Sequence, residues 1–212
     1  SIMRNFKEEF GVTETSALDR TFRYNNQISN VACDFILQNP QQITKTVEPN
    51  TFVDEPRVFI GRPFAKDEDL LNDALSIVAN EASGEEQSVL VLARYWFVKP
   101  DNFDQVIKSY PNLKITFKTV HSSKGLEADY VLVLGMSSGK FGFPSEVADD
   151  PILNMVLAQS EEYLNAEERR VFYVALTRAK EAVFLFADRA NTSKFITELE
   201  ESDLKLGFFG AG

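Results

Sequence analysis

The stretches "SVLVLA" (88–93), "YVLVLG" (130–135) and "AVFLFA" (182–187) are unbroken apolar runs rich in branched and aromatic residues. A strand exposed on one face alternates apolar with polar positions, so runs of this kind must be covered on both faces. "RVFIG" (57–61) and "KITFKTV" (114–120) read as further strands of the same sheet. Between them lie amphipathic helices. Ile28, Val31, Ala32, Phe35 and Ile36 form one helical stripe, capped by Asn25 or Asn26 and ended by Pro40. Leu70, Leu71, Ala74, Leu75, Val78 and Ala79 form a second, closed by Gly84. "DNFDQVIKSY" (101–110) is a short helix, "NAEERRVFYVALTRAK" (165–180) opens on an Asn165-x-x-Glu168 capping pattern, and "TSKFITELEE" (192–201) is a capped final helix. Residues 41–56 read as a loop, and 136–164 as a surface segment with a short helix. Strands alternating with helices predict an α/β fold with a mainly parallel sheet and helices on both faces.

Length and composition fit one such unit, and residues 1–212 are read as a single domain. No apolar run nears the roughly 20 residues needed to cross a bilayer, so no membrane partner is expected. The single cysteine, Cys33, sits on a helical stripe and suits a reducing compartment, here the cytoplasm. The chain opens on serine without a secretory signal and reads as a fragment of a longer chain.

The formal net charge of −10 argues against holding nucleic acid by bulk charge, although it leaves room for a local contact. One histidine and one cysteine cannot build a zinc cluster, and no protein-held metal site is predicted. His121 lacks the Gly-x-Ser-x-Gly elbow of a hydrolase triad. A phosphate loop, Gly-x-x-x-x-Gly-Lys-Ser/Thr, is missing too, since "SSKGLE" (122–127) reverses its lysine and glycine and opens no helix. Asp54-Glu55 is a poor magnesium site because Pro56 follows at once. The chain is not expected to hydrolyse ATP alone, and a stand-alone phosphotransferase is disfavoured.

"TVHSSKGLEADYVLVLG" (119–135) and "EERRVFYVALTRAK" (167–180) together resemble the motifs called V and VI in the UvrD/Rep-like superfamily 1 DNA helicases. "LDRTFRYNNQISNVACDFI" (18–36) resembles their motif IV, and the "GFP" turn at 142–144 matches a turn the family places between motifs V and VI. The order is the family's, and the wording is nearest its helicase IV branch. The resemblance implies a RecA-like second motor domain, with no phosphate loop of its own, that works against a first RecA-like domain of the same chain. ATP and Mg2+ would be held mainly by that first domain, and single-stranded DNA would be the partner. The helical insertion many relatives carry between motifs IV and V is absent or reduced by this reading.

The resemblance also implies roles. Arg178 matches the arginine finger, although spacing alone leaves it between that role and a surface ion pair. Arg23 matches a second γ-phosphate arginine. Phe22 stands where the family places an adenine-stacking aromatic, with phenylalanine here in place of the usual tyrosine. Glu127 matches a ribose-binding acid, and Gly125 lets the backbone approach phosphates. Lys124 could approach phosphate, support the loop or point to solvent. Thr119, His121, Ser122 and Ser123 match positions on the DNA backbone or between the DNA groove and the ATP cleft, with His121 equally readable as structural. Arg169 and Arg170 are expected to pair with nearby acids. Arg94, Tyr95 and Trp96 follow a strand end, where stacking on bases is possible in principle and packing of Trp96 is favoured. The implied function is that of an ATP-dependent DNA helicase; the alternative is a helicase-like module that binds or scaffolds without catalysis.

Overall fold

The computed structural model describes residues 11, 20–40, 42, 48–62, 67–82, 85–147 and 165–210. Its strands are β1 (Arg20–Asn25), β2 (Glu48–Thr51), β3 (Val58–Gly61), β4 (Gln87–Ala93), β5 (Leu113–Thr119), β6 (Ala128–Met136), β7 (Ala179–Ala187) and β8 (Gly207–Phe209). Its α-helices are α1 (Asn26–Leu37), α2 (Asp67–Glu81), α3 (Phe103–Val106), α4 (Ala166–Leu176) and α5 (Lys194–Glu200). Six strands form one sheet in the order β5-β4-β6-β7-β3-β8, every pair parallel. This is the sheet the apolar runs require.

The period of two along each strand sorts its residues between two cores. On one face Leu90, Leu92, Val131, Val133, Val183 and Leu185 pack under α1, α4 and α5. On the other, Val89, Val91, Leu132, Phe184 and Phe186 pack under α2 and α3. The first core is knitted by rings: Phe35 meets Phe172 and Phe195 edge-on at 5.0 and 4.9 Å, and Phe143 meets Phe172 at 5.5 Å. Phe143 reaches this cluster through the "GFP" turn. A side chain at Gly142 would collide with the Ser137 carbonyl.

Several expectations change. β1 and β2 form a separate two-stranded parallel ribbon, so part of the segment read as a loop over 41–56 is a strand. β8 adds an edge strand beside β3. The 101–110 helix is only the short α3 followed by a 3-10 turn at Ile107–Ser109. Asn25 rather than Asn26 caps α1, its Oδ1 accepting from the Ile28 amide at 3.1 Å. The Asn165-x-x-Glu168 box does not form: Asn165 has φ +58 and makes no side-chain cap bond, because Glu168 is drawn away to Arg94 and the Ser145 amide. Gly84 and the short helix expected before Asn165 lie outside the described residues.

β4 and β6 are also locked by side chains. Asp129 Oδ2 accepts from the Ser88 amide at 2.9 Å and the Ser88 hydroxyl at 2.6 Å, while the Asp129 amide donates back to Ser88 Oγ at 2.9 Å. Burial pushes the Asp129 carboxyl up, but the Ser88 bonds and the Lys180 ammonium at 3.3 Å outweigh it and hold the group below its ordinary range. A depressed folded-state value means the stabilisation is present above the unfolded value near 3.9 and is lost as pH falls through the folded one. Asp129→Ala is expected to destabilise the protein by roughly 1–2 kcal/mol at neutral pH. In urea unfolding of both proteins, the gap should shrink as pH falls through the unfolded value near 3.9, because the unfolded carboxyl then takes up a proton that the folded one still excludes.

Candidate nucleotide and DNA sites

The loop joining β5 to β6 sets the geometry of the site. Thr119 lies level with Ala93 and Ala93 level with Leu134, yet β6 begins at Ala128. The loop therefore leaves the carboxyl edge of the sheet and re-enters six residues down the neighbouring register, a descent of about 20 Å at 3.3 Å per residue. The rule that ligands bind beyond the carboxyl ends of parallel strands thus places only its first half; Glu127 sits at the amino edge of β6 and β7. α4 makes the same crossing. Glu168 in its first turn is at the carboxyl edge beside Arg94, and Arg178 just past its end precedes β7.

At the amino edge three expected residues meet. Arg23 Nε donates to Glu127 Oε1 at 2.5 Å. Arg178 Nη1 donates to the Leu126 carbonyl at 3.1 Å, and its own carbonyl accepts from the Ala128 amide at 3.0 Å. Arg178 Nε is buried with no partner. Burial, then the nearby Arg23 guanidinium, lower the pKa of Arg178, and Glu127 opposes them. Two guanidiniums with an unused donor, sharing one carboxylate among the described residues, form a site short of negative charge. Phe22, next to Arg23, is 78% exposed. Gly125 has φ +83 and open space where a side chain would be, so its turn, rather than crowding, calls for glycine.

Backbone clamps bring the two arginines together against their repulsion. Asn25 is 1% exposed. Its Nδ2 donates to the Lys180 and Glu181 carbonyls at 3.1 and 2.9 Å while its Oδ1 caps α1. The end of β1, carrying Arg23, is thereby fastened to the start of β7, just beyond Arg178.

At the carboxyl edge the side chains part ways. Thr119 and Ser122 bond each other, with Oγ1 to Oγ 2.9 Å, and the Ser122 hydroxyl also bonds the Thr119 carbonyl at 3.0 Å. His121 is exposed, and its Nδ1 lies 3.5 Å from Arg94 Nη1. A guanidinium can only donate, so Nδ1 accepts and Nε2–H is left as an outward donor. Ser123 is fully buried, and its hydroxyl donates to the Val120 carbonyl at 2.6 Å, closing the turn. Lys124 is exposed on the descending part of the loop. It lines a groove of about 380 Å³ between loop and helix, floored by Val120, Val171 and Val174, with Arg170 and Arg178 at its sides.

Arg169 and Arg170 pair with acids as expected, Arg169 with Glu198 at 2.6 Å and Arg170 with Glu167 at 2.8 Å. Trp96 packs less than expected, its edge on Phe117 but 61% exposed. Sequence reasoning missed Arg94 as a buried hub. Its only signal was a charge directly after a fully apolar strand.

A family model for the UvrD-like helicase C-terminal domain matches residues 71–189. The chain belongs to that family. The UvrD-like domain is 37% identical to DNA helicase IV of Escherichia coli K12 over 204 residues, covering 96% of this chain and 29% of that protein. It is 34% identical to the ATP-dependent DNA helicase Rep of Salmonella typhimurium LT2 over 101 residues, 43% of this chain and 13% of Rep. The chain thus spans under a third of these curated relatives. Among solved structures, the C-terminal domain of a possible DNA helicase from Lactobacillus plantarum WCFS1 superposes with a TM-score of 0.53 at 17% identity, covering 89% of this chain and 98% of that one. That likeness supports the RecA-like fold of the UvrD-like domain.

Asn25→Ala should cost roughly 1–3 kcal/mol, since it removes a helix cap and leaves two strand carbonyls short of a donor. Chemical denaturation checks the value; a change within 0.5 kcal/mol, roughly the level of an ordinary surface substitution, would remove Asn25 as the clamp.

Proposed function

We propose that this UvrD-like domain is the second motor domain of an ATP-dependent DNA helicase or translocase, contributing arginine fingers to a nucleotide site shared with a first RecA-like domain of a longer chain. The observation that carries the reading is the meeting of Arg23, Glu127 and Arg178 at one end of the β5–β6 loop, while Thr119, His121 and Ser122 stand at the other. A polyanion suits the first cluster, because it would supply the charge that two guanidiniums and a buried free Nε lack. An uncharged or weakly polar DNA contact suits the second, because hydroxyls and an imidazole N–H bind phosphate oxygens without a basic patch. That accommodates DNA on a chain of net charge −10.

When bound, ATP supplies a phosphoryl group for transfer to water. Arg178 stabilises the charge that grows on that group, and Arg23 orients the same phosphate. Phe22 offers its exposed ring to the adenine. Glu127 accepts from a ribose hydroxyl, for which its carboxylate has lone pairs to spare, while Arg23 exchanges Glu127 for the phosphate. That exchange is easy: the pair is exposed, with side chains 47% and 36% accessible, and such pairs contribute only about 0–1 kcal/mol. Gly125 shapes the turn that sets Glu127, and Lys124, which lines the same groove as Arg178, is available to phosphate. Mg2+ belongs with the first domain, as does the phosphate loop.

The test uses the full-length protein and the isolated chain side by side. Arg178→Ala in the full-length protein should lower kcat for ATP by about 10³ to 10⁵. Glu127→Ala should instead raise KM for ATP, and the isolated chain should show no ATPase with or without single-stranded DNA. Near-normal turnover by the Arg178 variant would refute the finger assignment, whereas no DNA-stimulated ATPase in the full-length wild-type protein would point to the alternative, a helicase-like module that binds without catalysing.

A further inference from the structure

The carboxyl edge holds a buried ion pair that the nucleotide and DNA roles leave unused. Arg94 and Glu168 are 7% and 8% exposed. Arg94 Nε donates to both Glu168 oxygens at 3.0 and 3.3 Å. Glu168 Oε2 also accepts from the Ser145 amide at 2.9 Å, and the Ser145 hydroxyl lies 2.5 Å from Tyr95 Oη. Arg94 Nη1 turns the other way, to His121 Nδ1. One guanidinium thus joins the DNA-facing imidazole to the first turn of α4.

The far end of α4 leads into Arg178. Thr177 terminates the helix, its hydroxyl donating to the Tyr173 carbonyl at 2.8 Å. Arg178 is then fixed to the loop by the Leu126 and Ala128 bonds. Loop and helix are therefore lashed at both edges of the sheet, with the groove between. His121, Arg94, Glu168 and the eleven-residue helix thus form an unbroken series of contacts that ends at Arg178.

We infer that Arg94 and Glu168 are positioning residues that couple occupancy of the DNA edge at His121 to the placement of Arg178 at the nucleotide edge. The inference rests on the motor reading above and adds to it the residues through which one site acts on the other. Neither side chain touches nucleotide or DNA in this scheme. Their loss should leave each ligand's binding intact and uncouple the two.

The experiment measures the ratio of kcat with saturating oligo(dT) to kcat without DNA in the full-length protein, together with oligo(dT) affinity and melting temperature. Glu168→Gln keeps the side-chain shape and removes the charge. Because removing one member of a buried pair can unfold a protein, the double variant Arg94→Met/Glu168→Met, which replaces the pair with apolar chains of similar volume, is the second arm. In either folded variant the stimulation ratio should fall about tenfold or more, within the range of ordinary coupling between sites. DNA-free turnover and oligo(dT) affinity should stay within about twofold. A merely structural pair would lower stability and leave the ratio unchanged. If Arg178→Ala is inert while the folded double variant keeps full stimulation, this inference falls and the motor reading stands. Normal turnover by Arg178→Ala overturns the finger assignment within the motor reading itself.

Discussion

β5 and β6 run in the same direction with β4 between them, so the chain joining Thr119 to Ala128 has to travel down the sheet before it can re-enter. Parallel strands always require such a return. Most α/β units make it with a helix; here an irregular segment does so, with its hydroxyls and imidazole at one edge and its glycine and glutamate at the other. Every candidate side chain on this loop owes its place to that descent. α4 returns beside it on the same face, and the two crossings become neighbours along their length. The groove floored by Val120, Val171 and Val174 is the space between them.

The same constraint explains how an acidic chain can hold a locally positive site. Arg23 and Arg178 would separate if left to their charges; burial first, and that repulsion second, lower the pKa of Arg178. They stay together because the Asn25 amide grips two consecutive carbonyls of β7, and because the Arg178 carbonyl is part of the pairing with Ala128. Backbone hydrogen bonds supply the work that side-chain electrostatics oppose. Net charge says little about such a site, since its field is local and its neighbours are fixed by the fold.

That distinction also separates what was legible in the sequence from what was not. β4, β6 and β7 could be read because a strand buried on both faces has no polar positions to confuse the pattern. α1 and α4 could be read because their apolar stripes keep the helical period. β1 could not: Arg20, Phe22 and Arg23 are exposed and only Tyr24 and Asn25 are buried, so no alternation survives. Its partner β2, "EPNT", contains residues poor in strands. Both are strands because of each other. Arg23, Glu127 and Arg178 were legible through motif resemblance alone, since they are far apart in the chain and meet only in the folded protein. The turn-closing bond of Ser123 was not legible, because a hydroxyl that closes its own turn looks, in sequence, like one offered to a ligand. Glu168 was misread as a capping partner because the competing acceptor role, for Arg94, lies 74 residues away.

The two arginine–glutamate pairs flanking this loop differ in kind. Arg23–Glu127 is open to water, where screening makes an ion pair weak and readily exchanged. Arg94–Glu168 is closed off, where losing either partner would strand an uncompensated charge and the pair therefore keeps one geometry. A site that must admit and release a charged ligand needs its own residues loosely held. A frame that must keep two sites in register needs the opposite. The loose pair stands at the amino edge beside Arg178, and the firm pair at the carboxyl edge beside the exposed imidazole. Burial, more than residue type, separates the pair that can exchange partners from the pair that holds its geometry.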